Sequence, residues 1–301
     1  AGTANQTGGA GAGNLGGAGT AGSGGSGGRG GTNSAGSSGM GGTAGSGGAP
    51  AKCGTIAATA TRPQLTSAQA TNQTILTYLA QRGTLPGLAT DNWNPTAGLA
   101  SAASFTPQFT VAADGSGTHT PVQAAINATS GSTRQYILIK PGTYREVVSV
   151  TSGSAPITLY GLDSDATKVV IVNNQTATSA GGTAQSATFT SKANGFQLMN
   201  LTISNDYPSP NSTSQAVALY TTGDTTVLQN VRLHGFQDTL YLDTPAATTV
   251  SRVYIKGSFI EGDTDYIFGR ATVVIDGSTL NYLSSRKGGG SGVYLAPSTH
   301  V

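Results

Sequence analysis

Four side chains in the second half of the chain have types and spacings suited to acyl transfer. Gln215 opens the segment Gln-Ala-Val-Ala-Leu219. Gln237 and Asp238 lie in Gly235-Phe-Gln-Asp-Thr-Leu-Tyr241, and Asp265 opens Asp-Tyr-Ile-Phe-Gly269. Two carboxylates held close together resist being ionised at once, so one keeps its proton while the other stays charged. The charged one can attack an ester carbonyl. The protonated one can give a proton to the departing alcohol and later take one from water. Two amide side chains can donate hydrogen bonds to the oxyanion that develops. Taken singly, each of the four is better read as an Asp or Gln filling a turn or a solenoid face, and it is the four at coil spacing that favour chemistry.

Proximity requires an architecture that superposes residues far apart in sequence. Gln215 precedes Gln237 by 22 residues and Asp238 precedes Asp265 by 27. From Tyr136 onward the chain carries short β-type runs: Tyr136–Lys140, Ile157–Tyr160, Val169–Val172, Ala187–Thr190, Phe196–Asn205, Ala216–Tyr220, Val227–Leu233, Val250–Ile255 and Ala271–Ile275. Gly, Asn, Asp and Ser punctuate them. A small polar residue or Gly followed by apolar residues recurs at Asn200, Asn230, Gly257 and Gly277, at offsets of 30, 27 and 20. Such a period fits a β-solenoid whose coils carry loops of unequal length. A β-sandwich also has evenly spaced short strands and stays open on rhythm alone. In a solenoid, stacked coils lie about 4.8 Å apart, so residues one coil apart are neighbours. Gln237 and Asp238 are adjacent, however, and an ideal strand points them to opposite sides. Both join one cluster only if the chain bends there.

The rest of the chain is less informative. Residues 1–51 form a Gly/Ala/Ser/Thr tract with Arg29 as its one charge, too poor in large apolar residues to offset chain entropy, and are read as a disordered linker. Residues 52–104 read as a connecting segment with one helix, opened by a Thr66/Gln69 capping box, continued by Ile75, Leu76 and Leu79, and stopped at Gly83. The main domain is assigned to 105–301. Near its start, Thr120-Pro121-Val122-Gln123 predicts a short helix with Thr120 as cap, placed to cover the open end of a β-structure. Net charge is +2 with 9% charged residues and no basic stripe, which gives no case for nucleic acid. Cys53 is the only cysteine, so no intrachain disulfide forms. No apolar run reaches the roughly 18 residues of a membrane span.

The words themselves are also informative. Gln-Ala-Val-Ala-Leu, Gly-Phe-Gln-Asp-Thr-Leu-Tyr and Asp-Tyr-Ile-Phe-Gly resemble signature segments of the pectin methylesterases, carbohydrate esterase family 8. So do Val111-Ala-Ala-Asp-Gly-Ser-Gly117, Lys140-Pro-Gly-Thr-Tyr-Arg-Glu146, and Ser186-Ala-Thr-Phe189 with Asn194-Gly-Phe196. Tyr294-Leu-Ala-Pro-Ser-Thr299 resembles the bacterial branch, and the resemblance runs from about Phe109 to Val301. It implies an all-β fold, a right-handed single-stranded parallel β-helix of the pectin lyase-like type. It also implies hydrolysis of methyl esters on polygalacturonate. By that resemblance Asp265 is the nucleophile, Asp238 the general acid and base, Gln237 the main oxyanion donor and Gln215 a second polar contact. Thr183 matches a substrate-contact threonine, and Phe268 and Tyr294 fall near aromatic positions of the sugar groove. No metal or organic cofactor is implied. The family's arginine, in a Leu-Gly-Arg type segment that would hold the nucleophile, is expected downstream and is not reached by Val301. The 301-residue chain is therefore expected to be truncated at its C-terminal side. Arg270 and Arg286 are not given that role.

The expected partner is methyl-esterified pectin, met by a monomer that is secreted or held at the cell surface or outer membrane through its linker. An envelope thioesterase-like relative and a non-catalytic carbohydrate-binding β-helix are the competing expectations. The glycine patterns at Gly24–Gly28 and Gly11–Gly16 imitate an esterase elbow and a dinucleotide loop, but no strand or helix flanks them. His119, His234 and His300 lack metal-ligand spacing. His119 is expected to be exposed, and His234 to pack or line the groove.

Overall fold

The computed structural model describes residues 65–71, 77, 92–97, 99–207, 214–284 and 292–298. The linker 1–51, the helix residues Ile75, Leu76 and Leu79 with their stop at Gly83, and Cys53, Arg286 and His300 lie outside them. The chain divides into two units, 1–85 and 86–301. In the first, a helix spans Ser67–Thr71. Its expected capping box is formed: the Thr66 N–H donates to Gln69 Oε1 at 2.9 Å, and the Gln69 N–H donates to Thr66 Oγ1 at 3.2 Å.

The second unit is a right-handed parallel β-helix with three walls, every strand pairing in parallel with its neighbour one coil away. The first wall runs through Phe109–Val111, Gln135–Ile139, Ile157–Gly161, the start of Gln197–Asn205, the start of Thr226–His234, Arg252–Lys256 and Thr272–Asp276. The second comprises Gly142–Arg145, Val169–Asn173, the ends of the two nine-residue strands, Phe259–Gly262 and Thr279–Tyr282. The third comprises Val148–Val150, Phe189–Ser191, Leu219–Thr221, Leu240–Leu242, Ile267–Gly269 and Leu295–Pro297.

Side chains alternate in and out with the two-residue period of a strand. Register therefore turns each wall's inward positions into a ladder. On the first wall it is Ile137, Leu159, Leu198, Leu228, Ile255 and Ile275. On the third it is Val148, Phe189, Leu219, Leu240, Ile267 and Leu295. Most are fully buried, and each such burial is worth about 1.5–3 kcal/mol. These ladders, rather than local propensity, hold the coils together.

The recurring Asn/Gly positions are the corner between the first two walls. Asn200, Asn230, Gly257 and Gly277 have φ of 55°, 51°, 54° and 53°. Those left-handed values suit Gly, and Asn among residues with a Cβ. The two asparagines also stack: Asn230 Nδ2 donates to Asn200 Oδ1 at 2.9 Å, and Asn200 Nδ2 donates to the Gly161 carbonyl at 3.1 Å. The offsets of 30, 27 and 20 are thus coil lengths, seen again in the pairings Leu201–Val231, Arg232–Phe259 and Phe259–Thr279.

Two details differ from expectation. The short helix is present at Val122–Asn127, but Pro121 occupies its cap position and Thr120 makes no cap. The carboxylate of Glu146, a coil-forming residue 24 positions on, accepts from the N–H groups of Val122 and Gln123 at 2.8 and 3.0 Å. A charge supplied by the neighbouring element satisfies the helix end and its dipole. His119 is half-buried, not exposed. Its backbone pairs with Val111 and its ring lies edge-on to Phe109 at 5.4 Å, because the strand edge extends that far. Ahead of residue 105, Ala102 is buried and packs with Tyr160 and Met199, and Phe105 stacks on Tyr136 at 4.7 Å.

Candidate active site

The candidate residues gather on the corner that leads into the third wall. Leu240 is paired with Ile267, and Gln237 bridges Thr264. Asp238 and Asp265 are therefore on the same rung of adjacent strands, about 4.8 Å apart along the helix axis. The Asp238 N–H donates to the Thr264 carbonyl at 3.0 Å, and the Leu240 N–H to that of Tyr266 at 2.8 Å. The required bend is present: Asp238 has φ 68° and Asp265 has φ 47°. Non-glycine residues at such φ are uncommon, Asp being one of the more tolerant, and each costs of order 1 kcal/mol. The bend breaks the strand's alternation, so Gln237 and Asp238 can serve one cluster.

The coil that carries Asp265 is pressed onto the coil that carries Asp238. A Cβ on Gly262 would lie 2.2 Å from the Cβ of Tyr266 and 2.5 Å from the carbonyl oxygen of Phe236. Only glycine fits there, and the next residue, Asp263, donates its N–H to that same carbonyl at 2.9 Å.

Asp238 is 3% exposed. Burial, reinforced by the charge of Asp265, lifts its carboxyl from the usual 3.8 to about 7. Asp265 is more open to solvent. The two carboxyls therefore differ in environment, and Asp238 is the one that keeps a proton near neutrality.

The two glutamines lie on adjacent coils. The Gln237 side chain is half-buried, and its backbone carbonyl accepts from Ala216 at 3.2 Å. Thr183 Oγ1 donates to Gln215 Oε1 at 2.7 Å. With its oxygen engaged, the Gln215 amide has its nitrogen left as a donor. Leu219 pairs with Leu240, an offset of 21, so the residue level with Gln237 is Ala216. Gln215 sits one residue before that rung, with Thr183 as its side-chain partner.

Just past the carboxylates, the outward face of the third wall carries an aromatic ladder. Tyr220 stacks on Tyr241 with centroids 4.7 Å apart, and Tyr241 on Phe268 at 4.2 Å. Phe268 was an expected groove residue; Tyr220 and Tyr241 were not. Their signal was in the sequence, since 220, 241 and 268 repeat the coil offsets of this wall. Tyr294 lies on the rung of Tyr266 and is 44% exposed, with its ring 5.2 Å from Tyr266 and 5.9 Å from Tyr282. His234 is on the second wall, paired with Glu261 and tilted against Phe259. Arg270 makes an ion pair with Asp243 at 2.7 Å. Among the described residues no cluster of His, Cys, Asp or Glu could hold a metal ion, and no helix is long and apolar enough to cross a membrane.

A family model described as Pectinesterase matches residues 108–291. A pectinesterase of Ralstonia solanacearum is 44% identical over 266 residues, covering 80% of this chain and 67% of its own length. Among solved structures, Escherichia coli YbhC superposes with TM-score 0.62 at 29% identity, covering 77% of this chain and 68% of its own. A pectin methylesterase mutant in complex with a hexasaccharide superposes with TM-score 0.58 at 31% identity, covering 66% and 63%. The chain spans about two thirds of the length of these proteins.

Proposed function

The chain belongs to the pectinesterase family of carboxylic ester hydrolases, and from that premise we propose a division of labour among its own residues. The Asp265 carboxylate attacks the carbonyl of a galacturonate methyl ester. The amides of Gln237 and Gln215 donate to the oxyanion as it forms. Protonated Asp238 gives its proton to the departing methoxy oxygen, and methanol leaves. An acyl-enzyme anhydride remains on Asp265. The Asp238 carboxylate then takes a proton from water, which attacks the acyl carbon. The C–O bond to Asp265 breaks and restores its carboxylate, galacturonic acid leaves and gives its proton to solvent, and Asp238 is again protonated.

The single observation that carries this assignment is the contrast between the two carboxyls on one rung. The acid of a two-step hydrolysis must hold a proton at the pH where the nucleophile does not. Asp238, buried and raised to about 7, meets that need, while Asp265 is the more open to solvent and to an incoming ester. The ladder of Tyr220, Tyr241 and Phe268 supports a polysaccharide as the ester's carrier, since a continuous row of half-buried aromatic rings gives an apolar surface along which sugars can lie. The same assignment puts the protein outside the cytoplasm, where methyl-esterified pectin is found. Methanol release from esterified pectin, with an acyl-CoA as the parallel substrate, tests the function. Release from pectin alone is the expected result, and thioester cleavage without methanol would overturn it.

A further inference from the structure

Arg270 and Asp243 lie on the rung beyond the aromatic ladder, on the same outward face of the third wall. Leu242 is paired with Gly269, which sets Asp243 beside Arg270. The pair closes at 2.7 Å, with Asp243 10% and Arg270 33% exposed in their side chains. Asp243 is anchored twice, since Tyr241 Oη donates to its second oxygen at 2.9 Å. Burial and this hydrogen bond to the carboxylate push the Tyr241 phenol up to about 12, so it stays a donor. One face therefore presents three chemistries in order along the strand. The carboxylates at Asp238 and Asp265 come first, the rings of Tyr241 and Phe268 next, and the guanidinium of Arg270 last. Asp265 and Arg270 are five residues apart, a reach of at most about 16–18 Å.

We propose that Arg270 is a specificity-determining residue that binds the free carboxylate of an unesterified galacturonate unit when the scissile ester lies at Asp265. This rests on the esterase assignment above for the position of the ester. The guanidinium is a planar fork of five donors, and its Nε lies 2.7 Å from Asp243 Oδ1 in a charge contact that lacks hydrogen-bond geometry. Neither terminal nitrogen makes a hydrogen bond to a described residue, which leaves the outer edge in the geometry that grips a carboxylate with two parallel bonds. Asp243 is nearly buried beneath the pair, so the pole nearer to a ligand is the cation. Asp243 touches both Tyr241 and Arg270, which keeps the guanidinium beside the aromatic ladder, so that a sugar lying along the ladder brings its neighbour's carboxylate to Arg270. A fully methylated chain has no anion to offer at that position. The ligand class is thus a partly de-esterified polygalacturonate, and product made at one unit helps to seat the next.

The test compares binding and turnover in the wild type, Arg270→Gln, Arg270→Lys and the double variant Asp243→Asn/Arg270→Gln. The double variant removes both charges together and leaves no buried carboxylate unpaired. Binding of a fully de-esterified galacturonate oligomer is measured by calorimetry beside that of its fully methylated counterpart. The expected result is a loss of about tenfold in affinity for the free-acid oligomer in both glutamine variants, the size of one charge-assisted contact. Their preference for free acid over methyl ester should shrink by the same factor. Arg270→Lys should recover part of it, and the wild-type preference should weaken as salt is raised. An unchanged preference in both glutamine variants overturns the proposal. So does an equal loss for the two oligomers, which would mark a merely structural pair. Methanol release is scored separately on the same samples: if the wild type releases none, it is the esterase assignment that fails, and the binding comparison still decides the role of Arg270.

Discussion

Replacing Asp238 by asparagine is expected to stabilise the protein at alkaline pH while abolishing turnover. In the unfolded chain the carboxyl gives up its proton near 3.8, whereas the folded protein holds it to about 7. Between those values the native state binds more protons than the unfolded state, so stability falls as pH rises. Below about pH 4 the cost is absent, and above about pH 7 it is fully present. About three pH units at 1.36 kcal/mol each set a ceiling of roughly 4 kcal/mol. Relaxation around a charge beside the more open Asp265 lowers that to about 2 kcal/mol. Asparagine keeps the shape, tolerates the left-handed backbone and never ionises. For a domain of this size about 2 kcal/mol is roughly 4–8 °C in midpoint. Thermal or urea melts of both proteins at pH 4 and pH 8 provide the assay. The variant should match the wild type at pH 4 and exceed it at pH 8. An equal offset at both pH values, or none at pH 8, would refute the claim that burial of Asp238 sets its protonation.

Two further outcomes follow from the same geometry. Gln237→Ala should lower kcat by about 10²-fold with little change in KM, because an oxyanion donor acts mainly in the transition state; initial rates of methanol release check this. The first chemical step needs the proton on Asp238, so kcat/KM should fall about tenfold per pH unit above about 7; a flat profile from pH 6 to 9 would remove Asp238 as the acid.

Much of this fold could be read from residue spacing. The Asn200, Asn230, Gly257 and Gly277 series marked the corners because left-handed backbone restricts what can stand there. The carboxylates were legible for the same reason, since Asp238 and Asp265 are separated by one coil. What escaped was set by register and by partners distant in sequence. Four of the three-residue strands of the third wall, Val148–Val150, Leu240–Leu242, Ile267–Gly269 and Leu295–Pro297, are too short to announce themselves by periodicity, whereas the runs Ala187–Thr190 and Ala216–Tyr220 marked two others. Gln215 is one residue off the rung of Gln237, and its side-chain partner Thr183 lies 32 residues away in sequence. The cap of the helix Val122–Asn127 comes from Glu146, which no local motif predicts. Tyr220 and Tyr241 looked like ordinary strand residues until coil offsets stacked them.

The most direct test of the account is methanol release by Asp265→Asn, measured beside binding of a galacturonate oligomer to the same protein. Asparagine is nearly isosteric and cannot form the anhydride. The account predicts a fall in turnover of at least about 10³-fold with oligomer affinity retained. Turnover within tenfold of the wild type, in a variant that binds and melts normally, would contradict it.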